Sequence, residues 1–361
     1  MIPTSHADRH KAKGEVVLGV DTHRDAHVAA VLSLTGEVVG AETFSATSVG
    51  YRELLEWSSR LGTVRRAGVE GTGSFGAALS RYLLAADVEV FDVNRSDRSD
   101  RRRRGKSDLL DAQNAARAVL SGRARAQAKT GDGPVQIARM YKVAKGSAVK
   151  ARTQAINQLK AVLVSAEADL REELAGLGNM QLFRTCAQFS SSCEGDGSGK
   201  EAVLQATRVT LYLLAQRIEQ LTEQIQDLEG RLARLMKQYA PQLLAVVGIG
   251  PDTAASLLIT MGDNPERLSS EASFAALCGV SPVECSSGSQ QRHRLNRGGD
   301  RQANAALHRI VQTRLRFDSR TQDYYQRRLK EGKTRREIIR CLKRYAAREV
   351  FHLVSSVQQR P

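Results

Sequence analysis

No stretch of about eighteen apolar residues occurs in this sequence, so nothing in it reads as a helix long enough to span a bilayer. The opening residues, MIPTSHADRHKAKGE, lack the apolar centre of a secretory signal. Cysteine is scarce: five residues, at 186, 193, 278, 285 and 341, with no CxxC pair. That excludes a disulfide framework and a zinc knuckle and leaves reduced thiols of an intracellular protein as the expectation. No internal repeat of fixed period appears beyond one heptad series. Acidic residues are also in deficit, 39 against 54 Lys plus Arg, for a net charge of +15 over 361 residues.

The surplus of positive charge is concentrated. Residues 1–120 carry 17 basic and 16 acidic side chains, whereas residues 292–361 carry 19 and 6. A basic C-terminal region points to a polyanionic partner, nucleic acid in the first place, with an anionic membrane surface or plain solvated helix faces as the alternatives. The length allows two or three domains, each with its own core.

From Glu15 the runs VVLGVD, HVAAVL and EVVGAETF predict an antiparallel meander of three strands. A helix near 48–60, a strand ending at Glu70, a helix near 74–86, the strand VEVFDV and a helix over 107–120 follow. Three strands and then alternating helices and strands make an α/β, RNase H-like N-terminal domain, placed at 1–125. Residues 126–166 predict one long helix. The segment 186–200, CAQFSSSCEGDGSGK, reads as a flexible connection. Leu211, Leu214, Ile218, Leu221, Ile225, Leu228, Leu232 and Leu235 then recur at spacings of three and four, the seam of a coiled coil. The seam suits a hairpin with the 126–166 helix or an arm joining subunits, and 126–238 is read as a central helical region. Pro241 ends it. Gly248-Ile249-Gly250, between two apolar helical stretches, resembles a helix-hairpin-helix turn, with an ordinary tight turn as the alternative. Residues 239–361 form a mainly helical C-terminal domain.

Candidate chemistry lies in four carboxylates. Asp21 and Glu70 each end an apolar strand, where a carboxylate can emerge while the preceding residues stay in the core. Asp108 and Asp111, three apart on a helix, share a face. Converging from two strands and a helix, such a set suits two Mg²⁺ ions, which prefer oxygen ligands and stabilise both oxygens of an in-line phosphoryl transfer. Glu89 and Asp92, on the next strand, are the alternatives to Glu70. Taken singly, each acid is equally a solvated residue or a helix cap. Immediately before the helix, residues 95–106 hold seven basic and two acidic side chains, so that Arg101, Arg102, Arg103, Arg104 and Lys106 are candidate backbone-phosphate contacts. His23 and His27, four apart, are weak evidence for zinc.

The motifs LGVDTHRDAH, GVEGTGSFG and GKSDLLDAQNAA resemble the three acidic motifs of IS110-type, or DEDD, transposases, whose first domain is similar to RuvC resolvases. LLAVVGIGPDTAASLL, FAALCGVSPVECSSGSQQRHRLNRGGDRQANAALHRI and KEGKTRREIIRCLKRYAAREVFHL resemble that family's C-terminal transposase domain, in the family's order. The resemblance spans roughly 15–122 and 241–355. It implies a metal site at Asp21, Glu70, Asp108 and Asp111 and a serine nucleophile in a Ser-Ser-Gly motif, matched by Ser286, Ser287 and Gly288, with Ser286 the better match by position. Cys285 stands where many relatives have Tyr, and Ser289 where they have a second Gly, which leaves the choice of serine less secure. Read without the resemblance, Ser286 caps a turn. Arg292, Arg294, Arg297 and Arg301 are candidate phosphate contacts.

The expectation is therefore an insertion-sequence transposase that cleaves and rejoins DNA with Mg²⁺ and serine. The resemblance further implies a dimer or tetramer, with the serine of one subunit completing another's carboxylate site, leaves room for an element-encoded guide RNA, and puts the protein in the bacterial cytoplasm, at the nucleoid. A Piv-like invertase, a hydrolytic junction resolvase and a non-catalytic nucleic-acid scaffold are the rivals.

Overall fold

The computed structural model describes residues 14–93, 107–189, 199–262, 268, 270–290 and 292–358, and side chains as far as residue 354. The chain divides into two compact units: residues up to 133 with 261–270, and residues 134–260 with the remainder from 271.

The first unit is a mixed α/β layer around a five-stranded sheet. Its strands are β1 (Glu15–Thr22), β2 (Ala26–Ser33), β3 (Val38–Ser45), β4 (Thr63–Glu70) and β5 (Glu89–Val93), in the order β3-β2-β1-β4-β5. The β1–β2 and β2–β3 pairs are antiparallel; β4 runs parallel to β1 and β5 parallel to β4. A meander followed by parallel crossovers, joined to a mostly helical remainder, fits a RuvC-like domain with a helical C-terminal part.

Side chains alternate across a strand, and the two cores follow from that. Val16, Leu18 and Val20 pack with Ala67, Val69, Leu54, Leu79 and Leu83 on the face covered by α1 (Ser48–Leu61) and α2 (Ala77–Ala85). Val17, Ala30 and Leu32 pack on the other face against Ala112, Ala116 and Val119 of α3 (Asp108–Leu120). Burial on both faces explains why β1 reads as a nearly unbroken apolar run. Two glycines let α3 lie close on its face. A Cβ at Gly19 would stand 2.5 Å from the backbone nitrogen of Ala116, and one at Gly68 would stand 2.5 Å from the carbonyl oxygen of Ala115.

The expected helix over 126–166 begins later, at Pro134. Residues 126–128 instead run along the edge of β5: Asp92 N–H donates to Ala126 O (2.7 Å) and Ala128 N–H to Val90 O (2.8 Å). Edge pairing satisfies backbone groups that a helix would have used internally, and Pro134 suits the first turn of a helix, where its missing N–H costs nothing.

In the second unit α4 (Pro134–Val164) runs antiparallel to α7 (Lys200–Tyr239): Lys145 meets Glu229, Arg152 meets Thr222, and Ala155 and Leu159 join the cluster of Leu211, Ala215 and Ile218. Leu211, Ile218, Ile225 and Leu232, seven apart, are buried, while Leu214, Leu221, Leu228 and Leu235 are only half-buried. Helices α5 (Ala168–Ala175) and α6 (Asn179–Cys186) close the end of the pair with Leu170, Leu174 and Leu182. Cys186 ends α6, and burial pushes its thiol up to about 11. Of the expected flexible connection, residues 190–198 lie outside the described residues.

Next come α8 (Pro241–Leu244), α9 (Pro251–Met261), α10 (Glu271–Leu277), the hairpin strands β6 (Val283–Glu284) and β7 (His293–Arg294), α11 (Arg301–Phe317), α12 (Ser319–Lys330) and α13 (Arg335–Gln358). Gly248 has φ +86°, and a Cβ there would meet the Ile310 carbonyl at 3.0 Å. Glycine is required on both counts. None of the described helices is long and apolar enough to cross a membrane.

Candidate metal and strand-transfer site

Parity along β1 puts Asp21 on the same face as Val17 and Gly19, the face on which α3 lies. On β4, Glu70 shares parity with Gly68 and so belongs to that face too. The β1–β4 register runs through Gly19 with Gly68 and Val20 with Val69, so Asp21 and Glu70 end adjacent parallel strands. Thr22 ties the two ends together, its hydroxyl donating to the Glu70 carbonyl oxygen at 2.7 Å.

The helix supplies the remaining acids. Ser107 caps α3, its hydroxyl accepting from Leu110 N–H at 3.2 Å, and Asp108 and Asp111 fall in the first turn. Carboxylates are favoured there by the unsatisfied N–H groups of the helix start. Because Gly19 lets the helix approach the strand, this turn comes to the C-terminal end of β1.

Asp21 and Asp108 meet around a histidine. His23 Nε2 lies 3.2 Å from Asp21 Oδ2 and 3.4 Å from Asp108 Oδ2, yet it is a buried atom with no well-formed hydrogen bond. One ligand atom from each of Asp21, His23 and Asp108 can be chosen so that all lie within 4.8 Å of one another. Asp21 and Asp111 are each 6% exposed. Burial raises the pKa of Asp21 above the usual carboxylate value; His23 opposes this, and the charges of Asp111 and Asp108 add to it. The buried Asp21 and Asp111, with the exposed Asp108 and the His23 ring nitrogen beside them, form a donor set suited to a divalent cation.

Not every expected residue joins that trio. Asp111 reaches it through its charge on Asp21, and Glu70 lies outside the 4.8 Å group. Of the alternatives, Asp92 accepts from the Thr72 hydroxyl at 2.7 Å, and Glu89 is exposed at the start of β5. The sequence offers His23 only as half of a candidate zinc pair with His27; what places it beside Asp21 and Asp108 is the approach of α3. His27 has a different environment, buried on the opposite face and stacked on Tyr51 with ring centroids 5.7 Å apart, where burial lowers its pKa. The two histidines therefore do not form a zinc pair. Arg101, Arg102, Arg103, Arg104 and Lys106 lie outside the described residues.

Ser286 and Ser287 belong to the second unit, in the loop of the β6–β7 hairpin. Cys285 N–H donates to Arg292 O (2.8 Å), Ser287 N–H to Gln290 O (3.1 Å), and the Ser286 hydroxyl oxygen accepts from Arg292 N–H (3.2 Å). Gly288 turns the loop with φ +58°. Both serines are exposed, as are Arg292, Arg294, Arg297 and Arg301. Among the described residues no ion pair holds any of those four arginines.

Two family models match the chain. One, described as Transposase and representing DEDD transposases of the IS110 type, covers residues 18–167, and the other, described as Transposase IS116/IS110/IS902 family, covers 240–326. Among curated proteins, the chain is 29% identical over 144 residues to the 43.6 kDa protein of insertion element IS110 from Streptomyces coelicolor, a match spanning 39% of this chain and 35% of that one. It is 30% identical over 159 residues to a Pseudomonas aeruginosa protein assigned to family 20 transposases, spanning 40% of this chain and 45% of that one. The matches thus span less than half the length of either relative.

Proposed function

We propose that the chain is a DNA recombinase of the IS116/IS110/IS902 family of transposases, one that excises and inserts a mobile element by cutting and rejoining strands. The observation that carries this reading is the meeting of Asp21, His23 and Asp108 around a shared point, with Asp111 buried beside them. In this reading Asp21, Asp108, Asp111 and Glu70 hold Mg²⁺, in a pair of ions, with His23 either a further ligand or the group that orients the two aspartates. A divalent ion bound there would polarise a phosphate oxygen and offset the charge that develops during phosphoryl transfer.

The protein's own groups do the rest. Ser286 is the nucleophile: its Oγ bonds to phosphorus, the departing strand leaves as a hydroxyl, and the phosphoserine ester conserves the bond for rejoining. The Arg292 N–H that donates to Ser286 Oγ fixes the direction of the hydroxyl. The exposed Arg292, Arg294, Arg297 and Arg301, with Arg101 to Arg104 and Lys106, hold the DNA backbone. Oligomerisation through the seam of α7 would let the serine of one subunit serve the carboxylates of another, and a guide RNA, if present, would take over sequence reading by base pairing.

The test is recombination in cells carrying the element with its native flanks, read by sequencing excision and insertion junctions. Asp108→Ala and Ser286→Ala, both folded and DNA-associated, should each abolish junctions. Loss only in Asp108→Ala would assign the nucleophile to water, as in a junction resolvase, or to Ser287, which Ser287→Ala separates; junctions persisting in both would overturn the catalytic assignment.

A further inference from the structure

Helix α13 lies beyond both family-matched segments, and its first half walls a cavity of about 510 Å³ in the second unit, at the foot of the β6–β7 hairpin. That volume falls in the range of about 300–1,000 Å³ of small-ligand sites. Its surfaces are of two kinds. Val280, Pro282, Leu295 and Tyr345 give it apolar walls, and two of these are unusually open, Leu295 at 51% and Tyr345 at 54% exposure. Arg297, Arg340, Lys343 and Arg344 give it positive charge, and no carboxylate among the described residues lines it.

The cations are not equally available. Arg344 is paired with Glu271 at 3.0 Å, and Arg340 lies near enough to Glu337 to lower its pKa. Lys343 is half-buried and, among the described residues, donates to the neutral Asn304 Oδ1 at 2.8 Å and to no carboxylate; burial and the charge of Arg340 push its pKa down, a cost that an incoming anion would relieve. Arg297 is exposed, with no ion pair among the described residues. Both amides in the wall are engaged with backbone, although Asn296 uses one of its two N–H groups. Asn304 donates to the Cys278 and Gly279 carbonyls, and Asn296 donates to Ala276 O while accepting from Gly298 N–H. An aromatic face, an aliphatic wall and spare cations match stacking recognition, the mode that tolerates any base.

We propose that this cavity takes one unpaired nucleotide of a nucleic-acid strand, its base against Tyr345 and Leu295 and its phosphate at Lys343 and Arg297. The position of the cavity below the loop that carries Ser286 gives the site a use in the recombinase reading, on which this inference rests for its substrate: an unstacked nucleotide would be gripped beside the strand to be cut. The grip itself needs neither metal nor cleavage.

The experiment measures equilibrium binding of the full-length protein by fluorescence anisotropy, without divalent metal. Probes are a duplex with one unpaired nucleotide, the same duplex with an abasic residue at that place, and the fully paired duplex, each made as DNA and as RNA. Wild type should bind the unpaired base at least about 5-fold more tightly than the abasic probe, alike for all four bases. The arm showing this preference, DNA or RNA, identifies the source of the nucleotide. Tyr345→Ala should abolish the preference and Tyr345→Phe keep it, while Lys343→Gln should weaken both the base and the abasic probe. Because Tyr345 also packs edge-on against Tyr324, Leu295→Ala, at an exposed position, serves as the second variant and should reduce the preference. No preference for a base over the abasic site in wild type, or a preference untouched by both Tyr345→Ala and Leu295→Ala, would overturn the proposal. Asp108→Ala should leave it intact, so a failure of the recombinase reading and a failure of this one are separately visible.

Discussion

Gly19 and Ala116 touch backbone to backbone: a methyl group on Gly19 would stand 2.5 Å from the Ala116 amide nitrogen. This contact seats α3 on the sheet and brings Asp108 and Asp111 to Asp21. Gly19→Ala should therefore force the helix outward, at a cost of about 1–3 kcal/mol for overpacking, and should reduce recombination more than its loss of stability explains. Gly146 is the control: it sits within α4 with no atom within 4 Å of an added Cβ. Gly146→Ala should stabilise by roughly 0.5–1 kcal/mol and leave recombination unchanged. Thermal unfolding and junction sequencing on both variants check the pair; equal effects from the two would contradict the close-approach argument.

The carboxylate cluster should respond to metal before any DNA is present. Mn²⁺ or Mg²⁺, by relieving repulsion among Asp21, Asp108 and Asp111, should raise the unfolding temperature of the wild type, since a ligand that binds only the folded state stabilises it. Asp21→Asn should remove that shift and lower Mn²⁺ affinity by at least about 10-fold, and His23→Ala should weaken binding by a similar order if the imidazole ligates or orients the acids. Calorimetric titration gives both numbers. An unchanged Mn²⁺ affinity in Asp21→Asn would remove the metal site from this cluster.

Much of this was readable in the one-dimensional pattern, and the reasons are physical. The short apolar runs VVLGVD and HVAAVL, of strand length and bounded by polar and turn residues, give the meander because a strand buried on both faces reads as an unbroken apolar stretch. Asp21 shows itself as a charge ending an apolar run. His23 does not, because a histidine just past a strand end looks the same whether it faces solvent or two carboxylates; only the approach of α3 decides. The start of the long helix was also hidden. Residues 126–129, AQAK, have helical composition, but an edge of β5 was available to 126–128, and the turn residues Thr130, Gly131, Asp132 and Gly133 then keep the helix from starting before Pro134.

The two halves of the α7 seam are unequally buried within the chain. Ile218 and Ile225 are buried, so Ile225→Ala should destabilise the helical pair by about 2–5 kcal/mol. Leu221 and Leu228 are only half-buried, which suits contact with another subunit. Leu221→Glu with Leu228→Glu should leave helix content intact by circular dichroism while lowering the mass seen by light scattering from oligomer to monomer. An unchanged mass in the double variant would assign the seam to the intramolecular pair alone.

Asp252, in the first turn of α9, joins the helical pair to the C-terminal helices. It accepts from Lys142 at 2.8 Å and Lys145 at 2.9 Å, both on α4, and from Arg309 of α11 at 3.3 Å. Burial by itself would raise its pKa, but the two lysines outweigh burial and hold the carboxyl at about 2 against an ordinary 3.8. A pKa depressed on folding means that the folded state favours the ionised form. The resulting stability is complete above the unfolded value, near pH 4, and is lost as pH falls toward 2. Allowing for partial solvent screening, the contribution is about 1–2 kcal/mol. Urea denaturation of wild type and Asp252→Asn should show the wild type more stable by that amount at pH 7, with the gap narrowing by pH 3. A gap that stays constant from pH 7 to pH 3 would mean that the carboxylate's charge is not what holds the three cations, and that packing around the start of α9 accounts for the difference.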